Sequence, residues 1–233
     1  MKTLLSLRRL KVRRVRSCPS RQLAQCSLVG ARDHLSLAHT FLDQILRRGD
    51  IAIDATAGNG HDSSFIAERV LDVYHGSLLC MDVQEIALQK TKCKLLQTLT
   101  RTHGGDNAST IIEQRVQLLL ENHKAFPSYL ERESVAAVVY NLGYLPGSDK
   151  SVKTNPSETI QSIERACELL KVGGMISVLA YRGHDGGQEE ATAVEQYVSS
   201  LRSFTWSVYS HVPMNRPISP VLYSVYKNSS MVS

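Results

Sequence analysis

Apolar residues recur along this chain in two rhythms. Leu35, Ala38, Leu42, Ile45 and Leu46 fall at helical spacing and predict one buried helix face. Next comes the short apolar run from Ile51 to Ala55, which predicts a strand ending in a loop of small residues. The two rhythms then alternate. Ser64 to Val70 predicts a helix, "SLLCMDVQ" a strand that ends at Asp82, and Ile86 to Leu99 a long helix. "RVQLLLENH" predicts a strand ending near Glu121, and "SVAAVVYNL" a fourth strand. Between them "THGGDNAS", residues 102–109, reads as a polar loop. Pro156 suits a first helical turn and opens a helix to Leu170. "GGMISVLAY" is a fifth strand and Gln188 to Leu201 a helix. "FTWSVYSHV" and "VLYSVYK" then follow as two strands with no helix between them. Strands alternating with helices predict an α/β fold built on a doubly wound, mostly parallel sheet. The last two strands predict an antiparallel hairpin at one edge.

Composition narrows the class. The chain has 233 residues, 42% of them hydrophobic, enough for one globular domain. A domain of that size hides roughly 70% of the surface its unfolded chain exposes, so no covalent staple is required. Five scattered cysteines without a C-x-x-C pair argue against a zinc site and a disulfide framework, and for a reducing compartment. No apolar run approaches the roughly 20 residues of a membrane helix. The formal charge is +5, but residues 1–32 hold nine of the 27 basic residues and no acid, leaving 18 against 22 acids, a net of −4, beyond them. Leucines and serines interleave those arginines, the composition of an organellar (chloroplast or mitochondrial) transit peptide. A basic arm for nucleic acid is the alternative. Either way the fold is expected to begin at residue 33.

Ligands of open parallel sheets bind beyond the carboxyl ends of the strands. The first loop there runs Asp54-Ala55-Thr56-Ala57-Gly58-Asn59-Gly60-His61-Asp62. A dinucleotide fingerprint would need a glycine where Ser63 stands, and Asp54 would repel a pyrophosphate. A carboxylate there attracts a cation instead. S-adenosyl-L-methionine (SAM) has an α-amino group that suits Asp54 and ribose hydroxyls that suit Asp82. Asn122 and His123, past the third strand, are placed to flank its adenine. Asp62 reads as a SAM contact or, at least equally, as a helix cap, and His123 equally as a surface loop histidine.

The fourth strand leads into "YNLGYLPGSDKSVKT", residues 140–154. In this topology the loop faces the methyl group of bound SAM. Many SAM enzymes that act on amino groups carry Asn/Asp-Pro-Pro-Tyr/Phe at this point; Asn141-Leu142-Gly143-Tyr144 keeps the polar head and aromatic end without the prolines. Together with "DATAGNGHDSSFIA", "GGMISVLAYRGHDGGQEE" and "NRPISPVLYSVYK", this loop resembles the bacterial family long labelled rRNA methylases. That family is now understood as MnmM, the SAM-dependent methyltransferases of 5-aminomethyl-2-thiouridine at the tRNA wobble position. The resemblance spans roughly residues 33–228. Tyr140 departs from it at a position expected to be apolar, and Arg182 and Asp185 stand where prolines would be unsurprising.

The resemblance implies a Rossmann-like class I SAM-dependent methyltransferase domain over 33–233, with seven strands and the C-terminal antiparallel hairpin. It implies SAM contacts at Asp54, Gly58, Asn59, Gly60, Asp82 and Gln84. It implies a substrate mouth at Asn141, Gly143, Tyr144, Leu145, Lys150, Thr154, Tyr181 and His184. Asn141 is expected to orient the attacking amine, Tyr144 to stack on the flipped base or else pack its own loop, and His184 or Tyr144 to relay a proton, with His184 otherwise capping the next helix. Lys150, Lys153, Arg182 and Arg216 are the expected phosphate contacts to a tRNA anticodon stem-loop, because phosphates dominate affinity and the domain is otherwise acidic. No metal and no membrane partner is expected; a homodimer is compatible with the family. The competing expectations are methylation of rRNA or a small amine, and a SAM-fold scaffold that binds RNA without catalysis.

Overall fold

A computed structural model describes residues 33–143, 155–183, 185–216 and 218–229. The segment 1–32 and the expected site residues Tyr144, Leu145, Lys150, Lys153, Thr154 and His184 lie outside the described residues. The chain enters through α1 (His34–Ile45), β1 (Ile51–Asp54), α2 (His61–Val70) and β2 (Ser77–Asp82). Then come α3 (Glu85–His103), α4 (Gly105–Arg115), β3 (Val116–Leu120) and β4 (Val135–Leu142). It closes with α5 (Pro156–Leu169), β5 (Leu170–Ala180), α6 (Gly187–Ser199), β6 (Trp206–His211) and β7 (Val221–Lys227).

Among the described residues one seven-stranded sheet runs in the order β3-β2-β1-β4-β5-β7-β6. The first five strands are parallel, as the alternation with helices requires. β7 runs antiparallel beside β5, and β6 antiparallel beside β7, so the last strand of the chain lies inside the sheet and β6 forms its edge. Each face buries its own apolar cluster. Leu42, Ile66, Leu95, Leu99 and Ile111 join α1, α2, α3 and α4 to one face. Ile163, Leu169, Val194 and Val198 join α5 and α6 to the other. Each such side chain fully removed from water stabilises the fold by about 1.5–3 kcal/mol.

Local signals place the helix starts. Asp33 accepts from the Ser36 N–H at 2.8 Å while its own N–H reaches Ser36 Oγ, a capping box for α1. Asn155 accepts from the Ser157 N–H at 3.0 Å, and Pro156 occupies the first turn of α5 as expected. The polar stretch 102–109 is not the expected loop. α3 runs on to His103, Gly104 turns the chain at φ +83°, and α4 starts at once. Ala108 and Ile111 supply α4 with a buried stripe at helical spacing, and its polar residues are only the solvated face. Tyr140, the departure from an apolar position, is fully buried. Its hydroxyl meets Ser162 Oγ at 2.8 Å, and Ser162 Oγ–H donates to the His123 carbonyl at 2.9 Å, so the hydroxyl is satisfied inside the core.

Candidate functional site

Asp54, Asp82 and Asn141 stand at the carboxyl ends of three parallel strands, β1, β2 and β4, with β1 between the other two. The loop after β1 is held close to its neighbours. Ala57 N–H donates to the Met81 carbonyl at 2.9 Å, and Gly58 N–H to Asp82 Oδ2 at 2.9 Å. Gly60 sits at φ +74°, and a Cβ there would come within 2.8 Å of the Thr91 backbone on α3, so only glycine fits. Asn59 is half-exposed at the loop's tip.

Asp54 is fully buried. It accepts from Ser63 Oγ at 2.5 Å and from the Thr56 N–H at 3.3 Å. Burial, then the neighbouring Asp62 carboxylate, raises its pKa from 3.8 to about 7 against the pull of those hydrogen bonds. Asp82 accepts from the backbone N–H groups of Gly58 and Gln84, both at 2.9 Å. Burial nevertheless holds its carboxyl above the usual range. A carboxylate offers about four lone-pair positions, so Asp82 retains acceptors for further donors.

Asn141 ends β4 beside β1. Its N–H donates to Thr56 Oγ1 at 2.7 Å, and its side-chain Nδ2 lies 3.4 Å from Asp62 Oδ2. Asp62 makes no side-chain cap for α2; it is buried and meets His39 Nε2 of α1 at 2.6 Å. Tyr181, just past β5, is on the same side: burial first, then the charges of Asp62 and Asp33, push its hydroxyl pKa up. Gly143 follows β4 at φ +137°. Arg182 Nε donates to the Ser219 carbonyl at 2.9 Å. Arg182 and the exposed Arg216 converge near the start of α1, where burial first, aided by both guanidinium charges, holds His34 below the usual histidine range against the opposing pull of Asp33.

The segment past β3 folds back toward β4. Asn122 accepts from the Lys124 N–H at 3.0 Å and donates from Nδ2 to Glu158 at 2.7 Å. His123 is buried rather than on the surface, packs edge-on against Tyr140, and is lowered to about 4 by burial. Its Nε2 has no hydrogen-bond partner among the described residues. Reading the sequence alone missed Thr56, Ser63 and His39. Ser63 was visible only as a missing glycine, and nothing in the spacing tied the helix of His39 to this edge.

This donor set fits a ligand with a cation, a diol and an aromatic ring. A carboxyl held neutral until about pH 7 by burial gains from a cationic partner. Asp82 has acceptor positions left for hydroxyls, and His123 offers an unpaired buried nitrogen. Among the described residues no cluster of His, Cys, Asp and Glu could hold a metal ion, and no helix is long and apolar enough to cross a membrane.

Three comparisons bear on the site. Residues 78–227 match the family model described as "Putative rRNA methylase". A curated Arabidopsis thaliana protein, "tRNA (mnm(5)s(2)U34)-methyltransferase, chloroplastic", is 33% identical over 210 residues, 87% of this chain and 72% of that protein. Among solved structures, a Clostridium thermocellum protein described as a "putative rRNA-methylase" is 32% identical, with a TM-score of 0.73 over 84% of this chain and 98% of that one. A Streptococcus mutans protein described as "a putative methyltransferase", in complex with SAH, is 33% identical, with a TM-score of 0.67 over 83% of this chain and 97% of that one.

Proposed function

The chain belongs to the family described as "Putative rRNA methylase", and from that membership and the geometry at the strand ends we propose that it methylates the aminomethyl nitrogen of a tRNA wobble uridine, turning 5-aminomethyl-2-thiouridine into 5-methylaminomethyl-2-thiouridine. It is a SAM-dependent methyltransferase. The wobble substrate is supported by the name of the Arabidopsis relative and by the nature of Asn141, a neutral amide where a nucleophilic nitrogen must be oriented.

In this reading Asp54 takes the amino group of SAM, Asp82 its ribose hydroxyls, and His123 its adenine, with Gly58, Asn59, Gly60 and Gln84 lining the loop. Bound SAM supplies a methyl group made electrophilic by its sulfonium. The chain's own task is to bring a neutral amine into line with it. An alkyl amine titrates near ~10, so at neutral pH it arrives mostly as ammonium and lacks a lone pair. A carboxylate beside it would strengthen that ammonium. The Asn141 carbonyl orients the N–H without doing so, and positioning is the larger part of what the protein can add. Tyr144 is assigned to stack on the flipped base and His184 to relay the released proton. Gly143, Leu145, Thr154 and Tyr181 line the mouth, while Lys150, Lys153, Arg182 and Arg216 meet the anticodon-stem phosphates. Residues 1–32 are assigned as an organellar transit peptide, a reading supported by the chloroplastic relative, and residues 33–233 as the catalytic domain.

The observation that carries this function is the placement of Asn141 at the end of β4 beside β1, its backbone N–H on Thr56 Oγ1 while the Thr56 N–H reaches the buried Asp54. The test is methyl transfer from labelled SAM to tRNA bearing the aminomethyl wobble base, with unmodified tRNA, rRNA and small amines as controls. Labelling of the modified tRNA alone is expected. Equal labelling of both tRNAs, or of rRNA, would overturn the wobble assignment.

A further inference from the structure

Asn141 does not hold its orientation alone. Its side-chain amide faces Asp62, and Asp62 can only accept when ionised. The amide must therefore turn its NH2 toward Asp62 and its carbonyl away. A flipped amide would set a carbonyl oxygen against a carboxylate, with both lone pairs and charges opposed. Asp62 is itself buried and must be compensated there. His39 Nε2, 2.6 Å from the other carboxylate oxygen, provides that partner.

His39 is fixed in turn. Its ring stacks on Phe65 of α2 at 3.8 Å between centroids and 12° between planes. Arg69 lies over the same Phe65 ring at 3.4 Å, and its Nε donates to Asp43 of α1 at 2.7 Å. Thus two further contacts, beyond Asp62 along α2, lock α1 onto α2. The Asn141 backbone is pinned separately, its N–H on Thr56 Oγ1. Thr56 and Asp62 flank the same loop after β1, so one loop holds both the backbone and the side chain of Asn141.

We propose that Asp62 and His39 are positioning residues for methyl transfer: Asp62 fixes the Asn141 amide with its carbonyl toward the incoming amine, and His39 fixes Asp62. This moves Asp62 away from the roles of helix cap and cofactor contact, and it gives α1, which precedes the nucleotide-binding part of the fold, a part in the chemistry. It rests on the reading of Asn141 as the amine's acceptor.

Three variants test it: Asp62→Asn, His39→Ala and His39→Gln. Asp62→Asn keeps the shape but offers Asn141 either a donor or an acceptor, so the amide loses its preferred orientation. Turnover on aminomethyl tRNA is expected to fall about tenfold to a hundredfold, the scale of a misplaced reacting group. KM for tRNA, and the calorimetric SAM affinity at pH 8, where Asp54 is mostly ionised with or without the Asp62 charge, should stay near wild type. His39→Ala should lower turnover less, and His39→Gln, which returns an N–H to Asp62, should recover most of that loss. The side-chain amide of Asn141, observed by NMR in protein carrying 15N-asparagine and assigned with Asn141→Ala, should move in Asp62→Asn and stay in place in His39→Gln. SAM affinity falling in step with turnover would make Asp62 a cofactor contact and overturn the proposal. So would His39→Gln behaving like His39→Ala, or an Asn141 amide indifferent to Asp62→Asn. If the wild-type protein methylates none of the tRNAs, the substrate reading fails, and the amide resonance alone decides whether Asp62 orients Asn141.

Discussion

Replacing Asp54 with asparagine should separate the cost of this carboxylate from its use. In the free protein burial and the Asp62 charge raise its pKa from 3.8 to about 7. At ~1.4 kcal/mol per pH unit, keeping it ionised above pH 7 costs on the order of 4 kcal/mol of folding stability. The sign follows from proton counts. Between about pH 4 and 7 the native state holds a proton that the unfolded chain has lost, so this group makes stability fall as pH rises through that window. Asp54→Asn removes the ionisation cost. It also leaves one of two donors, Ser63 Oγ–H or the Thr56 N–H, without an acceptor, at about 1–2 kcal/mol. The variant should therefore be about 2–3 kcal/mol more stable than wild type at pH 8 and no more stable at pH 4.5. Cofactor binding should change in the opposite sense. A charge-assisted contact worth about 1.5–3 kcal/mol is lost, so SAM affinity should drop at least about tenfold at pH 8. Wild-type affinity should weaken below pH 7, as Asp54 takes up its proton, whereas the variant's should stay flat. Denaturant unfolding and calorimetry from pH 4.5 to 8 measure both. Parallel stability curves for the two proteins, or the same pH slope in SAM affinity, would refute the reasoning.

Asn141→Ala should leave calorimetric SAM affinity nearly unchanged and cut turnover by about a hundredfold, the scale of losing one preorganised polar partner. Gly60→Ala forces a Cβ to within 2.8 Å of the Thr91 backbone at a positive φ, so it should lower the melting temperature and abolish measurable SAM binding. Tyr140→Phe removes the hydroxyl that meets Ser162 Oγ, while Ser162 keeps its bond to the His123 carbonyl, and should cost about 1 kcal/mol in denaturant unfolding with SAM affinity intact. A chain starting at residue 33 should bind SAM and methylate as the full chain does, while residues 1–32 fused to a fluorescent reporter should direct it into an organelle; loss of tRNA affinity on truncation would favour a nucleic-acid arm instead.

Much of the architecture was legible in the order of residues alone. Helical and strand spacing is local, so the alternation of elements, the parallel sheet and the closing antiparallel strands could all be read directly. Asp54 and Asp82 stood out because each closes an apolar strand, and such strands end at a ligand-binding edge. Where local signals conflicted, the reading failed. Residues 102–109 look like a loop because their polar side chains outnumber the apolar ones, and only packing of Ala108 and Ile111 against α3 makes them helical. Tyr140 was unexpected because its partners, Ser162 and His123, come from other elements. The arrangement around Asn141 was beyond sequence spacing altogether. Asp62 is 79 residues away along the chain, and His39 a further 23. They meet because β1 and β4 are neighbours in the sheet and α1 packs on α2, and each side chain acquires its role from a partner that only chain folding supplies.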